Sequence, residues 1–228
     1  MKQIPLAIGL QPLPTFETFI SHHDTAAVTH LRARSAPATP TYLWGPAGCG
    51  KSHLLRSLVH ERQQAGEHAE VFDAQDPAPW LPRDDCTLVA VDCCELLDAE
   101  RQQAAFALFV RAIDLGAQWV AAGRLPPVDL PLRDDLRTRL AWGHVFALQP
   151  LAEHETRAVL RRQADQRGIF LGDEVMDYLL TRFARDLKSL MNLLDRLDHY
   201  ALARQRVVTV PLLRQMLQEE PAAAGSAA

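Results

Sequence analysis

The sequence predicts an α/β fold: a parallel sheet with helices on both faces, followed by a small helical domain. Three observations carry this. From Thr41 onward short apolar runs alternate with stretches of helical periodicity, and strands separated by helices pair in parallel under crossover helices. The first run leads through a glycine-rich loop directly into a long helical pattern. After Gln149-Pro150 no strand-like run remains, while helical periodicity continues.

In order along the chain, residues 1–40 are punctuated by Pro5, Pro12, Pro14, Pro37 and Pro40 around one helical patch, His22 to Arg34. They read as an arm rather than a domain, extended over 1–14. The α/β domain spans 15–150. Its apolar runs are Tyr42–Trp44, Ala69–Phe72, Leu88–Val91, Trp119–Ala122 and Val145–Leu148, and Lys51–Gln64 and Glu100–Leu115 carry the helical repeat. The helical domain, 151–218, holds Glu153–Gln166, Asp173–Phe183, Asp186–Leu202 and Pro211–Leu217. Asp173 and Thr209 read as N-caps and Pro211 as a first-turn residue. The stripe Leu187, Leu190, Met191, Leu194, Leu197 is core spacing. Residues 219–228, rich in Ala, Gly and Ser, read as a disordered tail.

Composition narrows the function. With 228 residues, 48% hydrophobic and 23% charged, the chain has ordinary globular usage. No apolar run approaches the ~18 residues of a membrane span, so a cytoplasmic location is expected. Cys49, Cys86, Cys93 and Cys94 offer no Cys-x-x-Cys pairing and read as reduced thiols. The net charge is −4, and no stretch has the basic excess of a nonspecific DNA binder. His22-His23-Asp24 reads as a helix start, with no second ligand cluster nearby.

Gly45-Pro46-Ala47-Gly48-Cys49-Gly50-Lys51-Ser52 is a complete Gly-x-x-x-x-Gly-Lys-Ser loop between a strand and a helix. Such a loop turns successive N–H groups towards phosphate oxygens, which only glycine lets approach closely. Lys51 is expected to reach the β- and γ-phosphates, and the Ser52 hydroxyl to ligate Mg²⁺, so ATP or ADP is the expected ligand. Cys49 reads as a small filler. The run Thr87–Val91 ends in Asp92, which in a parallel sheet falls at the carboxyl end beside that loop and makes it a second Mg²⁺ residue. Nucleotide hydrolases of this type commonly place another acid next, to orient the attacking water. Here the residue is Cys93, and Glu95 lies too far along to replace it directly. Weak or absent intrinsic hydrolysis is therefore expected.

The loop, the Val91-Asp92 strand, Pro126-Pro127, the segment Leu136-Arg137-Thr138-Arg139-Leu140-Ala141-Trp142-Gly143, and Arg185 at a helix start occur in the order found in one family. Over about residues 15–217 the chain resembles the AAA+ module of the replication initiator DnaA. The resemblance implies a P-loop AAA+ sheet domain with a C-terminal helical lid. It implies that Arg139 is an arginine finger, acting in trans on nucleotide held by a partner, and that Arg185 reaches from the lid to this chain's own phosphates. It also places Phe16 and Phe19 beside the adenine pocket. One departure stands out: the family's polar-Asp sensor segment reads Ala121-Ala122-Gly123-Arg124. Discrimination of ATP from ADP is expected to be weak there.

The sequence stops where the initiator would continue into a DNA-binding helix-turn-helix domain, so a regulatory relative is expected. Gln3-Ile4-Pro5-Leu6-Ala7-Ile8 resembles the Gln-Leu-x-Leu-x-Leu peptides that bind the sliding clamp, the β subunit of DNA polymerase III. Gln3 would hydrogen-bond while Leu6 and Ile8 enter an apolar pocket. Three readings follow: a clamp-coupled inactivator of DnaA, a helicase loader or initiator-like adaptor switched by its own nucleotide, and a self-contained ATPase. Only the first needs the Gln3–Ile8 arm and only the last needs an acid at 93, so the first is preferred. Homo-oligomerisation is left open.

Overall fold

The structure, a computed structural model, describes residues 13–20, 23–33, 39–183 and 187–219, the Lys188 side chain excepted. The predicted clamp arm with Gln3, Leu6 and Ile8, the lid residue Arg185, and the tail from 220 lie outside them. The chain divides into two compact units between Pro150 and Leu151.

In the first unit, strands β1 (Thr41–Trp44), β2 (His68–Phe72), β3 (Cys86–Val91), β4 (Gln118–Gly123) and β5 (His144–Ala147) form one sheet in the order β2-β3-β4-β1-β5. Every pairing is parallel. Consecutive residues of the central strands feed opposite faces. Tyr42, Val89, Val91, Trp119 and Ala121 pack with residues of α3 (Ala99–Leu115) and α4 (Asp134–Ala141). Leu43, Leu88, Ala90, Val120 and Ala122 pack with α1 (Thr25–Arg32) and α2 (Lys51–Gln64). This is the α/β sheet with helices on both faces that the sequence predicts, and two-sided burial explains the unbroken apolar runs of the central strands β3 and β4. The ends of α3 follow local rules: Asp98 Oδ1 accepts the Arg101 N–H at 2.9 Å, and Gly116 closes the helix at φ 67°.

The second unit contains α5 (Glu153–Gln166), α6 (Asp173–Arg182), α7 (Leu187–Arg204) and α8 (Val210–Glu219) around their own core, including Leu160, Met176, Leu179, Leu190, Leu194, Leu197 and Leu213. The Thr209 hydroxyl caps α8 by accepting the Leu212 N–H at 3.3 Å. Asp173 departs from expectation. Gly172 is the N-cap, and Asp173 opens the helix with its carboxylate on Arg161 at 2.6 Å. A carboxylate in the first turn still complements the helix dipole, so the acid keeps its place while giving up the capping bond.

Candidate functional site

Parallel pairing brings three strand ends to one edge. Trp44 is in register with Gly123 and Val91 with Ala121, so the glycine loop, Asp92 and Arg124 all leave the sheet at its carboxyl side. That edge is where ligands bind in open α/β sheets.

The loop takes its shape from three glycines at positive φ: Gly45 at 154°, Gly48 at 80° and Gly50 at 97°. A Cβ at Gly45 would lie 2.5 Å from the Leu148 carbonyl oxygen, and one at Gly50 2.5 Å from Phe19 Cε2. Glycine is thus required for packing as well as for dihedral freedom. Phe19 follows the short turn Phe16–Thr18, so this aromatic segment lies directly on the loop. His53, two residues past Lys51, ties the segment down: its Nε2 donates to the Thr15 carbonyl at 2.9 Å and lies 3.2 Å from Thr18 Oγ1.

Lys51 is buried, and its ammonium donates to the Gly45 and Pro46 carbonyls at 2.7 and 2.8 Å. Cys49 is also buried, 3.6 Å from that ammonium, and burial raises its thiol pKa, so it is neutral packing rather than a nucleophile. Ser52 stands half-buried in the first turn of α2. The N-terminal N–H groups of α2, the glycine loop and the Lys51 cation form a concentration of donors suited to an anion.

Asp92 is 5% exposed, and its Oδ1 accepts the Cys93 N–H at 2.8 Å. Among the described residues no arginine or lysine pairs with it. A buried carboxylate with spare lone pairs suits a hard cation. The chemistry of Ser52 and Asp92 therefore fits Mg²⁺. Cys93 takes a left-handed conformation, φ 54° and ψ 44°. Burial, with the Asp92 and Glu95 charges adding to it, pushes its thiol up to about 11, so at neutral pH it holds its proton and cannot act as a base.

Glu95 is claimed elsewhere. Its carboxylate accepts the Arg124 N–H at 3.1 Å and pairs with Arg124 Nε at 3.2 Å. Gly123, just before, admits no side chain: a Cβ would overlap the Tyr42 hydroxyl and lie 3.2 Å from Glu95 Oε2. At position 123 the space a side chain would need is therefore taken by Tyr42 and Glu95.

Arg139 lies in the last turn of α4, half-buried. Its guanidinium carbon stands 5.8 Å from the Phe109 ring centroid and 5.4 Å from that of Trp142. The two other arginines of this segment are paired: Arg133 with Asp135 and Arg137 with Asp134, each at 2.6 Å. No carboxylate among the described residues reaches Arg139. Sequence reasoning missed the rings beside it, because Phe109 comes from α3; the spacing of three between Arg139 and Trp142 on one helix was the available signal.

A family model for the lid domain of Hda matches residues 153–217. Domain III of the Thermotoga maritima replication initiation protein DnaA superposes with TM-score 0.76 at 20% identity, covering 91% of this chain and 98% of that one. Residues 153–217 thus match the lid of Hda, and the fold of the chain is like that of DnaA domain III. AMPPCP-bound DnaA from Aquifex aeolicus gives TM-score 0.64 at 20% identity over 82% of this chain and 65% of that one. The RuvB Holliday junction branch migration motor of T. maritima gives 0.66 at 15% over 90% and 72%. The Hda-type lid and the DnaA-like sheet bear out the DnaA-related AAA+ resemblance that the loop, the Val91-Asp92 strand and the Leu136–Gly143 segment carry. No helix among the described residues is long and apolar enough to cross a membrane.

Proposed function

We propose that this protein is a nucleotide-bound regulatory inactivator of DnaA. In this reading it acts with the DNA-loaded sliding clamp in the cytoplasm, stimulates hydrolysis of DnaA-bound ATP, and so represses re-initiation of DNA replication. Its own ADP or ATP is cradled by Gly45, Pro46, Ala47, Gly48, Cys49, Gly50, Lys51 and Ser52, with Arg185 of the lid reaching the same phosphates. Mg²⁺, held by Ser52 and Asp92, would neutralise phosphate charge. The DnaA relative that binds AMPPCP supports an adenine nucleotide. Gln3, Leu6 and Ile8 dock the arm on the clamp.

The observation that carries the reading is the state of Arg139. An arginine that lies beside two rings and pairs with no carboxylate among the described residues keeps its donors for an anion outside the chain. At the γ-phosphate of a neighbouring DnaA it would compensate charge that develops in phosphoryl transfer. The protonated Cys93 supports the complementary half, that hydrolysis of this chain's own nucleotide is slow. The test is hydrolysis of DnaA-bound ATP with the clamp on DNA. Arg139→Ala should remove the chemical step while leaving clamp association intact, and Gln3→Ala should do the reverse. Full stimulation by both variants would refute the assignment.

A further inference from the structure

We propose that Trp142 is a positioning residue for Arg139: its exposed indole, together with the buried ring of Phe109, holds the guanidinium while leaving its N–H donors free. The inference rests on the trans-acting role proposed above. Phe109 is 2% exposed and set edge-on against Trp119, with centroids 5.3 Å apart at 80°, so its place beside the cation is fixed by core packing. Trp142 supplies the second ring from the end of α4, where its backbone N–H donates to the Arg139 carbonyl at 3.3 Å. It is 65% exposed, so folding of this chain alone does not call for an indole at that place.

The chemistry of the two rings is what matters. A carboxylate beside Arg139 would consume two guanidinium donors and would have to be displaced before a phosphate could bind. An aromatic face attracts the same cation through its quadrupole and consumes none. The carboxylates of α4 are occupied, Asp135 by Arg133 and Asp134 by Arg137, and Arg133 is further anchored on Gln103. Arginine normally loses rotamer freedom when it engages a ligand. Two rings that already confine it remove part of that cost before the partner arrives, which would appear in the rate of the chemical step rather than in docking.

The experiment uses the full chain, DnaA loaded with ATP, and the clamp on DNA, and reads the maximal hydrolysis rate separately from the half-saturating concentration of this protein. Trp142→Ala should lower the maximal rate about fivefold, the scale of one lost half-exposed cation–π contact, with half-saturation unchanged. Trp142→Phe should restore most of the rate. Trp142→Leu, which keeps apolar bulk without the π face, should behave like the alanine variant; if the alanine variant does not fold, this Phe-against-Leu comparison decides. Leucine rescuing as well as phenylalanine, or a raised half-saturation at unchanged maximal rate, would overturn the inference. Arg139→Ala, run alongside, should cost on the order of a thousandfold. If it does while Trp142→Ala is fully active, only the positioning role fails; if Arg139→Ala retains full rate, the trans-acting role itself fails.

Discussion

Replacing Gly143 by alanine sets a methyl group into the backbone of the segment that precedes β1. The added Cβ would overlap the Pro40 carbonyl oxygen and stand 2.7 Å from its carbon and 3.1 Å from the Pro40 nitrogen. Carbon atoms rest against one another at about 3.5–4.0 Å. All three obstacles are main-chain atoms, so no side chain can swing aside. The same Pro40 carbonyl accepts the His144 N–H at 2.8 Å, leading into the β1–β5 ladder that starts with Thr41 opposite His144. Relief therefore requires that bond to open. Losing it costs about 1 kcal/mol, and the remaining overpacking about 1–3 kcal/mol. A total of about 2–4 kcal/mol in a protein of this size corresponds to a drop of about 5–15 °C in Tm. Thermal unfolding followed by circular dichroism, with hydrogen exchange at the His144 amide as the local probe, checks it. Melting within about 1 °C of wild type with His144 still protected would refute the steric argument.

Lys51→Ala removes the cation from the loop and should weaken ADP binding by about a hundredfold or more in calorimetric titration; an unchanged affinity would place the nucleotide elsewhere. Burial lowers the pKa of both His53 and His30, with the His144 charge adding to the effect at His30. The unfolded chain then takes up protons more readily than the folded one, so stability is held above the ordinary histidine value near ~6.5 and lost as pH falls below it. Melting temperatures between pH 7.5 and 5.5 should show the decline, and His53→Gln, which keeps a donor for Thr15, should flatten it. Because its thiol is raised to about 11, Cys93 should react with iodoacetamide far more slowly at pH 8 than a free cysteine does, and speed up on approaching pH 11. Rapid labelling at pH 8 would show that burial does not hold the proton there.

The central strands were legible because burial on both faces removes polar interruptions: Leu88 to Val91 is uniformly apolar and uniformly buried. Helix α2 was legible because its start is fixed by the glycine loop. The order β2-β3-β4-β1-β5 was not, since no residue in a run names its neighbour. Asp173 was misread because the capping rule sees only its own helix, while Arg161 reaches its carboxylate from α5. Glu95 posed the same kind of problem. Its distance from Asp92 along the chain could be counted, but its commitment to Arg124 depends on β3 and β4 lying side by side. What the sequence withheld was in each case a contact between elements far apart in the chain.

The segment Leu136–Gly143 shows how one short pattern can combine unrelated constraints. Leu136 and Leu140, four apart, are 1% and 2% exposed and bind α4 to the sheet. Gly143 is fixed by the Pro40 carbonyl. Neither requirement calls for a guanidinium at 139 or for an indole at 142, which is 65% exposed. A pattern kept only for folding would tolerate many residues at those two positions. The pairing of a guanidinium with an exposed indole, on a helix whose acids are already engaged, is the part that folding leaves unexplained. That remainder is where a role between molecules has to be sought.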